Sequence, residues 1–347
     1  MADTFPYRRV LVTGGCGFIG SNLVRHLLTG WPQLELVNLD ALTYAGNPEN
    51  LADLASEPRY RFVHGRVEDG RACREALDGV EAVVHLAAET HVDRSILGPQ
   101  VFITTNVMGT QVLLDAALEA GVRRLLHVGT DEVYGPAPAD ILFDEDAPFR
   151  PSSPYAATKA AADLLTLAYS RTFGLDVVVT RCTNNYGPHQ FPEKLIPLAI
   201  INALKDQPVP IYGDGQQVRD WLHVEDHCRA ISLILARGRS GVAYNVAGGS
   251  RLHNIDVVHA LLDALGKPRD LVRHVDDRPG HDRRYALDAS RVSADVGWRP
   301  ARSPKQGLTE TVDWYRSHRA WWERVQDGSY LTYYREQYGA RLAEGKE

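Results

Sequence analysis

The chain is poor in cysteine, has no excess of positive charge and contains no long unbroken apolar run, and each shortage removes a class of protein. Its four cysteines, Cys16, Cys73, Cys182 and Cys228, are far apart in 347 residues and form no C-x-x-C pair. Reduced, partly buried thiols are therefore expected in place of a disulfide framework or a zinc ribbon. Lysine and arginine number 38 against 44 aspartates and glutamates, a net charge of -6, so there is no basic footprint for nucleic acid. An anionic small molecule remains compatible, because local arginines decide that. No stretch reaches ~18 consecutive apolar residues. The opening Met1-Ala-Asp-Thr-Phe-Pro-Tyr-Arg-Arg lacks the apolar segment of a signal peptide, so a cytoplasmic protein without a membrane partner is expected. Among the histidines only His223 and His227 stand four apart, and the Val-Glu-Asp between them is not a zinc-protease pattern, so no metal is expected.

What is present is an alternation of strand and helix. Residues 8–13 read as a buried parallel strand running into Gly14-Gly-Cys-Gly-Phe-Ile-Gly20 and then an apolar-periodic segment to Leu28. Strand, glycine turn and helix in that order make a dinucleotide site. Gly14 permits the turn, Gly17 lets the backbone approach a pyrophosphate, and Gly20 permits close helix packing. The next strand, 34–39, ends in Asp40, whose carboxylate can accept bonds from ribose hydroxyls and would repel a 2′-phosphate, which favours NAD. Strands are expected at 61–64 and 82–86, followed by Ala87-Ala-Glu-Thr90 at the ligand-binding edge, then a helix over 101–120 and a strand over 123–129.

Directly after that strand come Thr130, Asp131 and Glu132, two adjacent carboxylates where paired acid and base work is possible. Then follows Ser152-Ser-Pro-Tyr-Ala-Ala-Thr-Lys159. Ser153 reads as N-cap and Pro154 as first helical residue, so Tyr155 and Lys159 share one helical face and the ammonium is placed to favour a phenolate. After a strand at 176–180 the rhythm weakens, and proline punctuation from Pro188 to Pro210 announces a smaller lobe. Residues 244–246 suggest a late strand, and 314–338 a tryptophan- and tyrosine-rich helical tail.

The Tyr155-x-x-x-Lys159 pair with the glycine turn resembles the extended short-chain dehydrogenase/reductase family. Further segments narrow the likeness: Asp40-Ala-Leu-Thr-Tyr-Ala-Gly-Asn47, His85-Leu-Ala-Ala-Glu-Thr-His-Val-Asp-Arg-Ser95, Thr130-Asp-Glu-Val-Tyr-Gly135 and Phe191-Pro-Glu-Lys-Leu195. Tyr212-Gly-Asp-Gly215, Arg219-Asp-Trp-Leu-His-Val-Glu-Asp226 and Arg278-Pro-Gly-His-Asp-Arg-Arg-Tyr285 add to it. Over residues 8 to 315 the chain is similar to the nucleotide-sugar branch that dehydrates dTDP-glucose.

The resemblance implies an α/β fold, a Rossmann-type doubly wound parallel sheet with a smaller, mixed α/β C-terminal lobe. Residues 1–187, with about 224–255, would form the NAD-binding domain, and 188–223 with 256–340 the nucleotide-sugar lobe. It implies that Tyr155 takes the C4 hydroxyl proton with help from Lys159, that Thr130 polarises the C4 oxygen, that Glu132 removes the C5 proton and that Asp131 donates to the leaving C6 hydroxyl. Phe18 and Ile19 would meet the pyrophosphate, and Asp40, Ala41, Leu42 and Thr43 the adenosine. Val67, Leu86, Ala87, Ala88, Glu89, Thr105 and Asn185 would complete the cofactor site. Thr90, Asn184, Lys194, Leu195, Pro210, Ile211 and Tyr212 would line the sugar-nucleotide site. Arg219 and Arg278 would clamp the diphosphate, and Asn254, His281 and Arg283 would contribute further. A homodimer is implied, paired through the helices at 101–120 and 154–173.

Two departures stand out. Arg66 occupies a position where the family has an adenine-binding aspartate, and Gly129 one where a serine is common. A uridine-nucleotide dehydratase, a nucleotide-sugar 4-epimerase and a non-catalytic NAD-binding protein are the competing readings. Of these an epimerase needs no carboxylate pair after the strand.

Overall fold

A computed structural model describes residues 5–326, 328–339 and 342. The strands are β1 (Arg9–Thr13), β2 (Glu35–Asp40), β3 (Tyr60–His64), β4 (Ala82–His85), β5 (Arg124–Thr130) and β6 (Val177–Cys182). They continue with β7 (Asn184–Tyr186), β8 (Val209–Tyr212), β9 (Val218–His223), β10 (Val242–Val246), β11 (Arg251–His253) and β12 (Val272–Val275). Seven of them form one parallel sheet in the order β10-β6-β5-β4-β1-β2-β3. Central strands such as Val10–Val12 and Val83–Val84 are wholly buried, which is why they read as continuous apolar runs. The chain winds outward from β1 to β3 and then crosses to β4 on the other side of β1. The crevice outside the carboxyl ends of β1 and β4 is thus the topological switch point where such sheets bind ligands.

The helix Pro154–Phe173 starts as its sequence predicts: the Ser153 hydroxyl accepts the Ala156 N–H at 3.1 Å, Pro154 opens the helix, and Gly174 at φ +72° closes it. The helix at 101–120 is instead a composite, Pro99–Phe102, a π-turn over Ile103–Met108, and Gly109–Glu119. Taken together its 21 residues are long enough, and on average apolar enough, to cross a membrane by length and composition alone. Here it packs between the helices Gly70–Ala76 and Pro154–Phe173.

Past β6 the chain leaves the main sheet. β7 pairs in parallel with β9, β11 pairs antiparallel with β9, and β8 with β12 form a separate parallel pair. A second core gathers there around Ile200, Val258, Leu262, Tyr315 and Trp322. One part of the 256–340 stretch does not stay in this lobe. Helix Ser290–Val296 and Trp298 bury Val292, Val296 and the indole in the core under the main sheet, beside β10. The expected helical tail is broken at His318 and Gln326 into Pro304–Ser317, Arg319–Val325 and Gly328–Tyr334.

Candidate active site

At the switch point lies a cavity of about 300 Å³, walled on one side by the glycine turn. Gly14 has φ +72°, and a Cβ on Gly20 would come within 2.1 Å of the Gly14 carbonyl oxygen, so the helix Phe18–Gly30 can sit on the turn only without side chains there. No side chain caps this helix, which leaves its first N–H groups and positive dipole end to the cavity that Gly17, Phe18 and Ile19 line. Asp40 accepts the N–H groups of Cys16 and Leu42, both at 2.8 Å. Burial raises its pKa and these two bonds work against that rise.

Asp40, Ala41 and Thr43 line the cavity, whereas Leu42, at φ +49°, gives its N–H to Asp40 and packs its side chain on the core. Arg66 lines the opposite wall beside Val67, its guanidinium held by Glu68 at 3.2 Å. Uncapped N–H groups, glycine clearance and the Asp40 carboxylate in the cavity wall together fit a dinucleotide such as NAD.

Behind the wall, residues without an expected role hold the loop 86–90. The Thr13 hydroxyl accepts the N–H groups of Leu86 and Ala87, so its own hydrogen goes to His85 Nδ1 at 2.8 Å. Asn106, on the π-turn, clamps Glu89 through both backbone groups at 2.8 and 3.0 Å and donates to the Thr158 hydroxyl. Thr105 stands beside it on the cavity side. These partners lie far apart in the chain, so spacing carries no signal for them.

Thr130 ends β5, and Asp131 and Glu132 follow it into the same cavity, with Tyr155 and Lys159 from the facing helix. The Thr130 hydroxyl accepts the Glu132 N–H and donates to Asp131 Oδ1, each at 3.3 Å. Asp131 Oδ2 is buried without a hydrogen-bond partner. Burial, then the neighbouring Glu132, push the Asp131 pKa well above the usual carboxylate range, with Arg219 only partly offsetting them. Burial also raises Glu132, but Arg278, Arg219 and Lys194 all pull it back. Both carboxyls are thus raised, Asp131 the more strongly, and the cations gathered about Glu132 make the difference between them.

Lys159 lines the cavity beside Tyr155 and has partners on β5 as well. Its ammonium donates to the Val128 carbonyl at 2.7 Å and lies 3.4 Å from His127 Nε2, turned back towards β5. Burial brings its pKa down to about 8, with Asp163 opposing. The Tyr155 hydroxyl is pushed well above its ordinary value by burial, Glu132 and Cys182, against a Thr130 hydrogen bond. Gly129 also has a reason here: a Cβ would come within 2.6 Å of Asp163 Oδ1 and 2.9 Å of the Thr180 carbonyl.

A second cavity, of about 150 Å³, shares Thr90, Glu132, Asn184, Glu193 and Lys194 with the first. Leu195, Pro210, Ile211, Tyr212, Arg219, Asn254, Arg278 and His281 all line it. Arg219 stacks on Tyr285 at 4.4 Å and is steadied by the Val218 and Asp282 carbonyls, so neither hydrogen bond spends its charge on a carboxylate. Arg278 binds Asp93 at 2.7 Å, and its Nε is buried without a partner among the described residues. Such guanidiniums suit a diphosphate. His281 is held by Asp277 at 2.6 Å.

Arg283 lies elsewhere, forked onto Asp214 at 2.7 and 2.9 Å on the surface, because the loop turns it away from the cavity that Arg278 and His281 face. Asn185 lines the first cavity and binds His227 Nδ1 at 2.9 Å. Asp93, Glu193 and Tyr338 line the second cavity without having been singled out, although Asp93 and Glu193 lie inside motifs that were.

The model of the GDP-mannose 4,6 dehydratase family matches residues 11–311. A dTDP-glucose 4,6-dehydratase of Streptomyces niveus is 53% identical over 93% of this chain and 97% of its own length. The chain belongs to the dTDP-glucose 4,6-dehydratase family. A relative of that description from Escherichia coli K12 is 46% identical over 96% of this chain and 99% of its own. Among solved structures, DesIV of Streptomyces venezuelae, a dTDP-glucose 4,6-dehydratase with NAD and TDP bound, superposes with a TM-score of 0.89 at 53% identity, covering 91% of this chain and 99% of that one. UDP-glucose 4-epimerase of Thermus thermophilus with NAD superposes at 0.83 and 34% identity, over 89% and 99%. The scaffold is thus shared with epimerases, and the groups it carries must separate the two reactions.

Proposed function

We propose that this chain is an NAD-dependent dTDP-glucose 4,6-dehydratase, a hydro-lyase that converts dTDP-glucose to dTDP-4-keto-6-deoxyglucose and water. The observation that carries the reading is the carboxylate pair Asp131 and Glu132, held in one cavity with Tyr155 and set in unequal electrostatic surroundings.

Bound NAD supplies a hydride store, filled from C4 and emptied to C6, and a positive ring charge that favours the phenolate. Tyr155 takes the proton of the C4 hydroxyl. The keto group so formed acidifies the C5 hydrogen, which Glu132 removes. Asp131 gives its proton to the C6 hydroxyl, which leaves as water. Glu132 then returns its proton to C5. The proton gained by Tyr155 equals the one lost by Asp131, and Thr130, bonded to Asp131, stands by both. Arg219 and Arg278 hold the diphosphate, while residues 86–90 and the glycine turn hold the cofactor.

The assembly we propose is a homodimer in the cytoplasm, with no membrane or nucleic-acid partner. Val101, Ile103, Met108 and Leu118 on one helix, and Leu164 and Phe173 on the other, are all exposed, an apolar face that a second copy would cover by helix pairing. Four buried, unpaired cysteines agree with a reducing compartment.

Incubation with dTDP-glucose and, separately, UDP-glucose tests the reading. Loss of one water from the thymidine substrate, with a 4-keto-sugar absorbance in alkali, is expected. Unchanged mass with glucose turned to galactose would make it an epimerase.

A further inference from the structure

Three donors from distant parts of the chain end on one buried carboxylate. Asp93 is the second residue of the short helix Val92–Leu97, just after the loop 86–90. Its Oδ1 accepts Arg278 Nη1 at 2.7 Å, and its Oδ2 accepts the Tyr212 hydroxyl at 2.9 Å and the Gln337 side-chain amide at 3.1 Å. Gln337 also donates to the Tyr212 oxygen at 2.5 Å. Burial works to raise the Asp93 pKa, but Arg278, His91 and the hydrogen bonds outweigh it and hold the carboxyl below its ordinary value.

An ionised group beside a diphosphate site would repel the ligand if its charge were bare. Here it is matched by Arg278, whose Nε is left buried and unpartnered among the described residues. Gln337 lies on the C-terminal turn Arg335–Gly339, beyond residues 11–311 that the family model covers, and the next residue, Tyr338, lines the second cavity with its ring 6.0 Å from that of Tyr212.

We propose that Asp93 is a positioning residue for the nucleotide sugar: it gathers Arg278, Tyr212 and Gln337 on one carboxylate, aims Arg278 at the diphosphate and seats the C-terminal turn with Tyr338 as a wall of the cavity. The inference rests on the proposed function, since it takes the second cavity as the dTDP-sugar site.

The test uses the full-length protein and the Asp93→Asn and Gln337→Ala variants. For Asp93→Asn, KM for dTDP-glucose and the dissociation constant of dTDP rise about tenfold, while kcat falls less than about threefold and NAD affinity is unchanged. For Gln337→Ala, KM rises about twofold to threefold with no change in thermal midpoint. A lower midpoint in Asp93→Asn with KM and dTDP affinity unchanged would reduce Asp93 to a structural residue and overturn the proposal. Should Asp93→Asn fail to fold, an unchanged KM in Gln337→Ala overturns it alone. Wild-type protein that binds no dTDP would end the functional reading and this inference together, whereas wild-type binding matched by both variants ends only the inference.

Discussion

The two cavities are built on opposite plans. The first is walled by backbone: a glycine turn, a helix N-terminus, a loop held by Thr13 and Asn106, and one carboxylate for the ribose. The second is walled by charged and aromatic side chains, with Arg219, Arg278 and Lys194 facing Glu132 and Asp93. A backbone site is specific through the space it leaves, and a side-chain site through the charges it places. Glu132 belongs to both, with Asp131 beside it, which puts the acid and base where cofactor and sugar must meet.

Substitutions should separate the plans. Gly20→Ala places a methyl group 2.1 Å from the Gly14 oxygen, where backbone must shift, and we expect NAD affinity to fall about 100-fold, roughly 2.7 kcal/mol. Isothermal titration with NAD checks this, and dTDP affinity should hardly change. Arg219→Lys keeps the charge but loses the fork, so KM for dTDP-glucose should rise about tenfold with NAD affinity intact. If either variant disturbs both ligands equally, the two plans do not act separately on cofactor and nucleotide sugar.

A smaller effect concerns Lys159. Its ammonium, brought down to about 8 by burial, is charged below that pH and neutral above it. Log kcat/KM should fall as pH rises through about 8, and Lys159→Arg, which stays charged, should remove that limb at some cost in rate.

This difference in plan also governs what could be read from sequence. The glycine turn, Asp40, the Thr130-Asp131-Glu132 triplet and the Tyr155 helix were legible because each is local: a few consecutive residues define a turn, a strand end or a helix face. The second cavity draws on positions from Thr90 to Tyr338, and only the family resemblance pointed to most of them. Asp93 and Asn106 stayed hidden because their partners are set by tertiary contact. The bond from Lys159 to the Val128 carbonyl stayed hidden for the same reason, since helix spacing places a side chain on a face but not which carbonyl it will meet. Arg283, two residues from His281, was drawn in by motif and turned out by the loop.

The central claim is that Asp131 serves as acid and Glu132 as base. It is tested most directly by running Asp131→Asn and Glu132→Gln on dTDP-glucose in deuterium oxide and measuring deuterium at C5 beside water loss. The account predicts that Glu132→Gln abolishes both, whereas Asp131→Asn slows water loss by about 100-fold or more while still allowing C5 exchange. Exchange retained in Glu132→Gln and lost in Asp131→Asn would reverse the assignment and contradict the account.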